Sequence, residues 1–202
     1  NLNNFNISVG VTREFMEKVK AEADYDLLNP RTGEVVSRMN ARVVFDLMAE
    51  MAWKTGDPGL VFLDVINRDN PNPQLGNIES TNPCGEQPLL PYESCNLASI
   101  NLARMVKYEV SGSSTQVSID WDRLARAVET SVHLLDNVID MNAYPIKEIE
   151  DMSKRTRRIG LGVMGFSDLL IQLAVPYDSE DALEVAEQVM GWIQQELSLI
   201  HI

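Results

Sequence analysis

The chain has 202 residues, 45% hydrophobic and 23% charged, a balance typical of one globular domain with a sizeable core. Acidic residues outnumber basic residues 30 to 17, and the formal charge of −13 argues against nonspecific nucleic-acid binding, which needs a basic surface. The sequence has no apolar run of about 18 residues that would predict a membrane span, and its two cysteines favour a reducing cytoplasm over a disulfide scaffold.

The first third of the chain predicts alternating strands and helices. Apolar and polar residues alternate over 5–11, which indicates a strand, and Thr12 is a candidate N-cap for the helix that follows. A Pro-Arg-Thr-Gly turn at 30–33 separates two short apolar pieces and predicts a hairpin. Apolar residues then recur at helical spacing after Asn40, which predicts a helix with its stripe in the core; they are Val43, Val44, Leu47, Met48, Met51 and Ala52.

A short apolar run and a long irregular segment come next. Residues 60–66 (LVFLDVI) are consistent with a strand buried on both faces. Residues 67–91 are rich in Pro and Gly, and an irregular segment of this length inside a domain is usually functional or disordered.

The second half predicts two strand regions and four helices. Residues 95–106 alternate like a strand, and 106–120 predict a hairpin around a Ser-Gly-Ser-Ser turn. A long helix follows Asp120, with an inward face comprising Leu124, Ala127, Val128, Ser131, Leu134, Leu135, Val138 and Ile139. Further helices are expected from Pro145 to about Arg157, then within 166–175 and within 178–196. Strands that alternate with helices predict the α/β fold class.

Two motifs in the second half have ordinary structural explanations. Residues 160–165 fit the GxGxxG pattern, but the polar run 153–158 stands where a dinucleotide site needs a hydrophobic strand, so close packing of strand and helix is favoured. The basic cluster of Lys154, Arg155, Arg157 and Arg158 could hold phosphate, but it is more typical of a solvated helix end. His133 lies beside an apolar stripe with no second His nearby, and this favours a packing role.

Both cysteines fall within residues 80–104, at Cys84 and Cys95. They are too few for a zinc site, and a structural disulfide between them is disfavoured in cytoplasm. Two inert buried thiols remain a serious alternative. Pro83 favours extended backbone at Asn82, and in an extended segment Asn82, Cys84 and Glu86 would share one face.

That face would carry an amide, a thiol and a carboxyl group. A thiolate nucleophile normally has a base and a positive environment, whereas the carboxylate of Glu86 disfavours a thiolate at Cys84. The arrangement suits a thiol that stays protonated and gives up a hydrogen atom. The residues therefore favour radical chemistry.

These residues resemble a known family. NPCGE (82–86) with PLLPYESCNLASINLARMV (88–106) closely resembles the catalytic loop of ribonucleotide reductase large subunits. Residues 3–16, 56–73 and 157–170 resemble other segments of the same proteins, so the resemblance covers 1–196. The Pro-Cys-Gly form is more similar to the adenosylcobalamin-dependent class II enzymes than to class I.

The resemblance implies a role for each loop residue. Cys84 would become the thiyl radical that abstracts the ribose 3′ hydrogen, Glu86 would take the 3′-hydroxyl proton, and Asn82 would orient the substrate hydroxyls. The substrate-binding loop would comprise Asn82, Pro83, Cys84, Gly85 and Glu86. Cys95 would be one of two reducing cysteines, with its partner upstream of Asn1. No residue is expected to bind a metal ion.

The resemblance also implies the setting of that loop. The fold would be part of the family's α/β barrel, with a catalytic finger loop inside it. Residues 1–196 would form a partial catalytic domain of a ribonucleoside-diphosphate reductase, inactive by itself. The last six residues, 197–202 (LSLIHI), match what a common sequencing adapter encodes, and we expect them to be an artefact.

The expected partners follow from the same family. They are a ribonucleotide substrate, nucleotide effectors, a thioredoxin-like reductant and the cofactor adenosylcobalamin, with a homodimer as the assembly of the intact enzyme. Neither nucleic acid nor a membrane is expected as a partner. Two alternatives stay open: a class I large subunit, and a non-catalytic nucleotide-binding module on the same barrel.

Overall fold

The computed structural model describes residues 5–112 and 114–200. His201 and Ile202, at the end of the segment predicted to be an artefact, lie outside the described residues, as does Asn1. The chain divides into two compact units, residues 1–92 and 93–202, and each is described by itself. Cys84 belongs to the first unit and Cys95 to the second.

The first unit alternates short strands with helices, as its sequence predicts. Its elements are β1 (Ser8–Val11), α1 (Arg13–Lys20), β2 (Asp24–Leu28), β3 (Val35–Asn40), α2 (Ala41–Thr55), β4 (Gly59–Phe62), α3 (Leu63–Arg68), β5 (Ser80–Thr81) and β6 (Pro88–Leu89). A single turn of 3-10 helix covers Pro73–Leu75 within the irregular segment.

Polar side chains start the first two helices of this unit. The hydroxyl of Thr12 accepts a hydrogen bond from the backbone N–H of Phe15, so the predicted N-cap of α1 is confirmed. Asn40 caps α2 in the same way, through the N–H groups of Arg42 and Val43. The predicted hairpin is also confirmed, because β2 and β3 pair antiparallel.

Two predictions about buried surfaces in the first unit were wrong. The stripe of α2 does not lie in a core, since Val43 is 62% exposed and Leu47 is 55% exposed. The strand predicted over 60–66 ends at Phe62, and α3 begins at the next residue, Leu63. A short apolar run does not distinguish strand from helix by periodicity; here the carboxylate of Asp64 accepts the N–H of Val65 and favours the helical start.

The second unit contains the longest helices of the described chain. Its elements are β7 (Asn96–Asn101), β8 (Val106–Ser111), β9 (Ser114–Ile119), α4 (Trp121–Met141), α5 (Lys147–Thr156), β10 (Ile159–Met164), α6 (Phe166–Gln172) and α7 (Glu180–Ile200). A turn of 3-10 helix, Leu102–Arg104, follows β7, and β8 and β9 form the predicted hairpin.

One hydrophobic core holds the second unit together. Strands, α4, α6 and α7 all contribute to it, through Ile100, Leu102, Val106, Ile119, Leu124, Val128, Leu169, Val189 and Ile193. Asp120 caps α4 through the N–H of Arg123. The inward face predicted for α4 is largely confirmed, but Leu134 and Val138 are exposed, at 59% and 40%.

The GxGxxG segment forms a strand and the turn into a helix. Residues 159–164 are β10, and Gly165 at φ 72° is the N-cap of α6. A Cβ at Gly165 would lie 2.6 Å from Oδ1 of Asn101, so no larger residue fits there without displacing this side chain. The prediction of close packing is confirmed at this glycine.

The strands of the described residues form pairs. β1 pairs with β4 and β7 pairs with β10, both in parallel, while the other three pairs are antiparallel. The α/β class is confirmed, but the described strands do not close into the predicted barrel, because each parallel strand pairs along one side only. Over the same residues, no helix is long and apolar enough to cross a membrane.

Candidate functional site

Cys84 lies at the tip of a short hairpin in the first unit. The two-residue strands β5 and β6 pair antiparallel, and residues 82–87 connect them. The N–H of Gly85 donates to the carbonyl of Asn82 over 3.0 Å, which makes Pro83 and Cys84 the central residues of a β-turn. The turn leaves both Cys84 and Glu86 exposed.

Asn82 closes this tip from both its backbone and its side chain. Its N–H donates to the carbonyl of Gln87 over 3.1 Å, and its Oδ1 accepts the N–H of Gln87 over 3.0 Å. The side-chain oxygen of Asn82, the residue predicted to orient the substrate, therefore already accepts a hydrogen bond within the hairpin.

The extended geometry predicted for Asn82, Cys84 and Glu86 was wrong. The chain turns at Pro83–Cys84, and Gly85 adopts φ 87°, a left-handed conformation that suits glycine. Pro83 restricts the residue before it to extended backbone, but proline is also favoured as a central residue of a turn, and here the second effect prevails. Asn82, Cys84 and Glu86 therefore do not lie along one face of an extended strand.

A groove lies beside the base of this hairpin. Its volume is about 610 Å³, and it is lined by the beginning of the chain's first strand, by β4 and by the approach to the turn, including Ser8, Gly10, Val61, Thr81 and Asn82. A space of this size accommodates a small organic ligand. The turn is therefore next to a concave surface of its own unit.

Cys95 has a different environment in the second unit. It is half-buried and directly precedes β7. A small cavity of about 40 Å³ lies beside it, lined mainly by polar residues that include Ser94, Asn96, Asn142, Tyr144 and Ser153. Such a volume has room for about one water molecule.

Two anchors hold the residues that precede Cys95. Glu93 has a fully buried carboxylate, whose Oε1 lies 2.7 Å from Nε of Arg158. Ser94 and Ser153 share a hydrogen bond of 2.8 Å between their hydroxyl groups, and Ser153 is 2% exposed. Glu93 and Ser153 are the buried polar residues of the described chain.

The basic cluster is only in part the solvated helix end that its composition suggests. Arg157 reaches back to α4, with Nε 2.7 Å from Asp136 and both Nη atoms 3.0 Å from Asp140. The hydrogen bonds from Arg157 lower the pKa of both carboxyl groups and raise the pKa of the guanidinium. Lys154 pairs with Glu150 at an exposed position, whereas Arg158 is largely buried.

Other candidate sites of the sequence find little support among the described residues. No disulfide involves Cys84 or Cys95 there. No group of three or more His, Cys, Asp and Glu side chains in the described ranges could hold a metal ion. His133 is exposed, so the packing role predicted for it was wrong.

The sequence matches a known family over nearly its full length. Residues 1–198 match the family profile described as "Ribonucleotide reductase, barrel domain". The chain belongs to this family. The resemblance stated from the motifs around Cys84 and Cys95 is thereby confirmed.

Individual members of the ribonucleotide reductase family are close in sequence. A vitamin B12-dependent ribonucleoside-diphosphate reductase from Thermoplasma acidophilum is 55% identical over 195 residues, 96% of this chain and 24% of the relative. A protein of the same name from Mycobacterium tuberculosis is 52% identical over 194 residues, 96% of this chain and 27% of its own length. A vitamin B12-dependent ribonucleotide reductase from Streptomyces clavuligerus is 34% identical over 183 residues, 91% of this chain and 19% of that protein.

The chain thus spans about a quarter of the length of the first two of these relatives. Their names favour the adenosylcobalamin-dependent class over class I. The sequence does not predict that Glu93, Ser153 and Arg158 anchor the residues before Cys95. The only local signal was a carboxylate two residues before Cys95, and its partner lies more than sixty positions away.

Proposed function

We propose that the chain is the part of a vitamin B12-dependent ribonucleoside-diphosphate reductase that carries the radical cysteine and one reducing cysteine. The observation that supports this most strongly is the family match over residues 1–198, with high identity to two proteins of that name. The exposed turn at Cys84 agrees with it, because a substrate and a radical source must both reach the thiol.

The proposed reaction uses two side chains of the turn, Cys84 and Glu86, and the thiol of Cys95. The Cys84 thiyl radical takes the ribose 3′ hydrogen atom, Glu86 accepts the 3′-hydroxyl proton, and the 2′ oxygen leaves as water. Two thiols, one of them Cys95, supply two electrons and two protons and become a disulfide. Cys84 then returns the hydrogen atom to C3′, so that the net change is one ribonucleotide and one dithiol to one deoxyribonucleotide, one disulfide and water.

Adenosylcobalamin is the cofactor that we propose for the whole protein, where it supplies the unpaired electron. The residues present fit such a group in one respect, because an exposed turn allows a large molecule to approach Cys84. The described residues offer no obvious ligand set for the cobalt, so the contribution of this chain is to position the thiol. Asn82 and Gly85 do so by their hydrogen bonds across the turn.

The hairpin tip corresponds in this proposal to the finger loop of the family barrel. A thiyl radical has to be shielded from water and stray reductants. In the whole protein we expect other parts of the barrel to surround residues 82–87, and we expect the isolated 202-residue chain to be inactive. We also propose that the complete protein is a cytoplasmic homodimer that binds nucleotide effectors and is reduced by a thioredoxin-like protein.

The decisive variant is Cys84→Ser in the complete protein. A serine O–H bond is too strong to take the place of the thiol, so we expect deoxynucleotide formation to fall by at least about 10³-fold, a loss typical of a group used directly in the reaction. Binding of the ribonucleotide should remain within about threefold of the unchanged protein, since uniform binding is retained. Substantial turnover in this variant would contradict the assignment of the radical site.

A second measurement decides between the two classes of enzyme. Activity of the purified complete protein that depends on added adenosylcobalamin supports the proposal. Activity that needs a metal-containing second subunit instead would favour class I. Nucleotide binding without any reduction under either condition would favour a non-catalytic module.

A further inference from the structure

The backbone on both sides of Cys95 is held by one short segment of the chain. This anchoring segment, residues 153–159, runs from the last turn of α5 to the first residue of β10. It provides the partners of residues 93, 94 and 96 but is separated from them by 59 residues or more. The residues on both sides of the cysteine are therefore held by this one segment.

Two of these contacts precede the thiol. The carboxylate of Glu93 is wholly buried against Arg158, whose own side chain is 14% exposed. A buried charge is costly unless it is paired, so this residue strongly favours the conformation in which Arg158 is close. The Ser94–Ser153 hydrogen bond fixes the next residue along.

The third contact follows the thiol. Asn96 is the first residue of β7, and its partner in the parallel pair is Ile159, which directly follows Arg158. The cavity beside the cysteine is small, about 40 Å³. Position 95 therefore has restricted backbone on each side.

We infer that Arg158 and Ser153 are positioning residues for Cys95, which hold its sulfur where a partner thiol can form a disulfide with it. The inference rests on the proposed function, in which Cys95 is oxidised in each turnover. Reactions between two held groups are sensitive to placement, and a displacement of about 1 Å can cost about 10²-fold in rate. The contacts described for Arg158 and Ser153 are to residues 93 and 94, beside Cys95, so we expect loss of either to slow reduction and spare hydrogen abstraction.

The test compares two outputs of the complete protein with a substrate that carries tritium at C3′. Deoxynucleotide formation reports the whole reaction. Tritium release to water reports how long the label resides on the Cys84 thiol, because a thiol hydrogen exchanges with solvent while the intermediate waits for reduction. The ratio of tritium released to deoxynucleotide formed therefore rises when the step at Cys95 slows.

We expect Ser153→Ala and Arg158→Gln each to raise this ratio, Arg158→Gln by about tenfold or more. Arg158→Lys should restore part of the loss, since it keeps the charge but not the planar guanidinium. The matched control is Arg157→Gln, which removes the neighbouring arginine and its ion pairs with α4. It should lower stability and leave the ratio unchanged.

A second readout covers the case in which Arg158→Gln folds poorly. In the reduced protein, the rate of Cys95 alkylation by iodoacetamide should rise at least about threefold in Ser153→Ala, because a less restricted thiol is more accessible. Ratios and alkylation rates that match those of the unchanged protein in Ser153→Ala and Arg158→Gln would overturn the positioning role alone. Tritium release that persists in Cys84→Ser would overturn the proposed function together with this inference.

Discussion

The two cysteines of this chain lie in units built in different ways. The unit of residues 93–202 has a continuous core, with Leu124 and Leu169 fully buried. Among the described residues, the unit of residues 1–92 buries fewer apolar side chains, and it leaves Trp53 83% exposed and Val36 65% exposed. Cys84 lies in the turn that connects a two-residue ladder of the first unit, and Cys95 directly follows the anchored residues Glu93 and Ser94 in the second unit.

This difference suits the two roles that we propose. A radical thiol has to meet a substrate and a radical source, so an accessible turn is useful if other parts of the protein cover it later. A reducing thiol has to meet one partner repeatedly, so a fixed position is useful. The second unit therefore fixes the backbone around its cysteine by itself, whereas the first unit leaves its cysteine exposed.

The largest expected effect comes from truncating one leucine in each unit. Leu124→Ala removes a side chain with no exposed surface and should destabilise the second unit by about 2–5 kcal/mol. Leu47→Ala removes one that is 55% exposed and should change the stability of the first unit by no more than about 0.5 kcal/mol. Hydrogen exchange of peptides from α4 and α2 measures the two losses separately.

Equal losses of stability in Leu124→Ala and Leu47→Ala would contradict the difference between the two units. They would mean that the apolar face of α2 is covered in solution by a surface of its own or another chain. The prediction applies to the 202-residue chain by itself; in the complete protein we expect Leu47→Ala to cost more, since we expect further residues to pack against the first unit.

An intermediate effect is expected from two glycines with left-handed backbone. Gly165→Ala combines the cost of φ 72° with a collision at Asn101, and should destabilise the second unit by about 2–4 kcal/mol. Gly85→Ala has φ 87° but open space around the new methyl group, so only the conformational cost of about 1–2 kcal/mol remains. Thermal unfolding of both variants checks the order, and a larger loss at Gly85 would show that the turn is crowded.

The smallest effect concerns Arg157 and pH. Its hydrogen bonds hold the pKa values of Asp136 and Asp140 below the unfolded value of about 3.9. Both carboxylates are exposed, so their contribution is modest. It is fully present above the unfolded pKa and is lost as the pH falls through the lower folded values.

The midpoint of thermal unfolding should therefore be higher in the unchanged protein than in Arg157→Gln at about pH 6, and the difference should shrink as the pH falls below the unfolded pKa of about 3.9. A difference that stays constant as the pH falls well below this unfolded value would show that the guanidinium acts through packing. Added salt at neutral pH should reduce the difference, because exposed ion pairs are screened.

Local features of the fold were predictable because their causes are local. Thr12 and Asp120 cap helices through N–H groups three residues ahead, and the turn at 30–33 lies between the strands it connects. The apolar run 60–66 was wrongly predicted to be all strand, because a short apolar run has no periodicity that separates a buried strand from a helix.

The site divides in the same way. The chemistry of Cys84, Glu86 and Cys95 is suggested by neighbouring residue types, but the shape of the turn depended on a hydrogen bond between Gly85 and Asn82. The anchors of Cys95 depended on tertiary contacts that no local pattern encodes. Arg158 stood in a basic run typical of solvent-exposed helix ends, and only the fold shows that it is buried against Glu93.

The parallel pairing of β7 with β10 has a consequence for the order of folding. Their first partners, Asn96 and Ile159, belong to strands joined through two helices and a hairpin, so pairing closes a loop of about sixty residues. Hairpins and helices form on much shorter timescales than such contacts. The surroundings of Cys95 are therefore assembled late, and during synthesis this thiol stays unconstrained until Ile159 has left the ribosome.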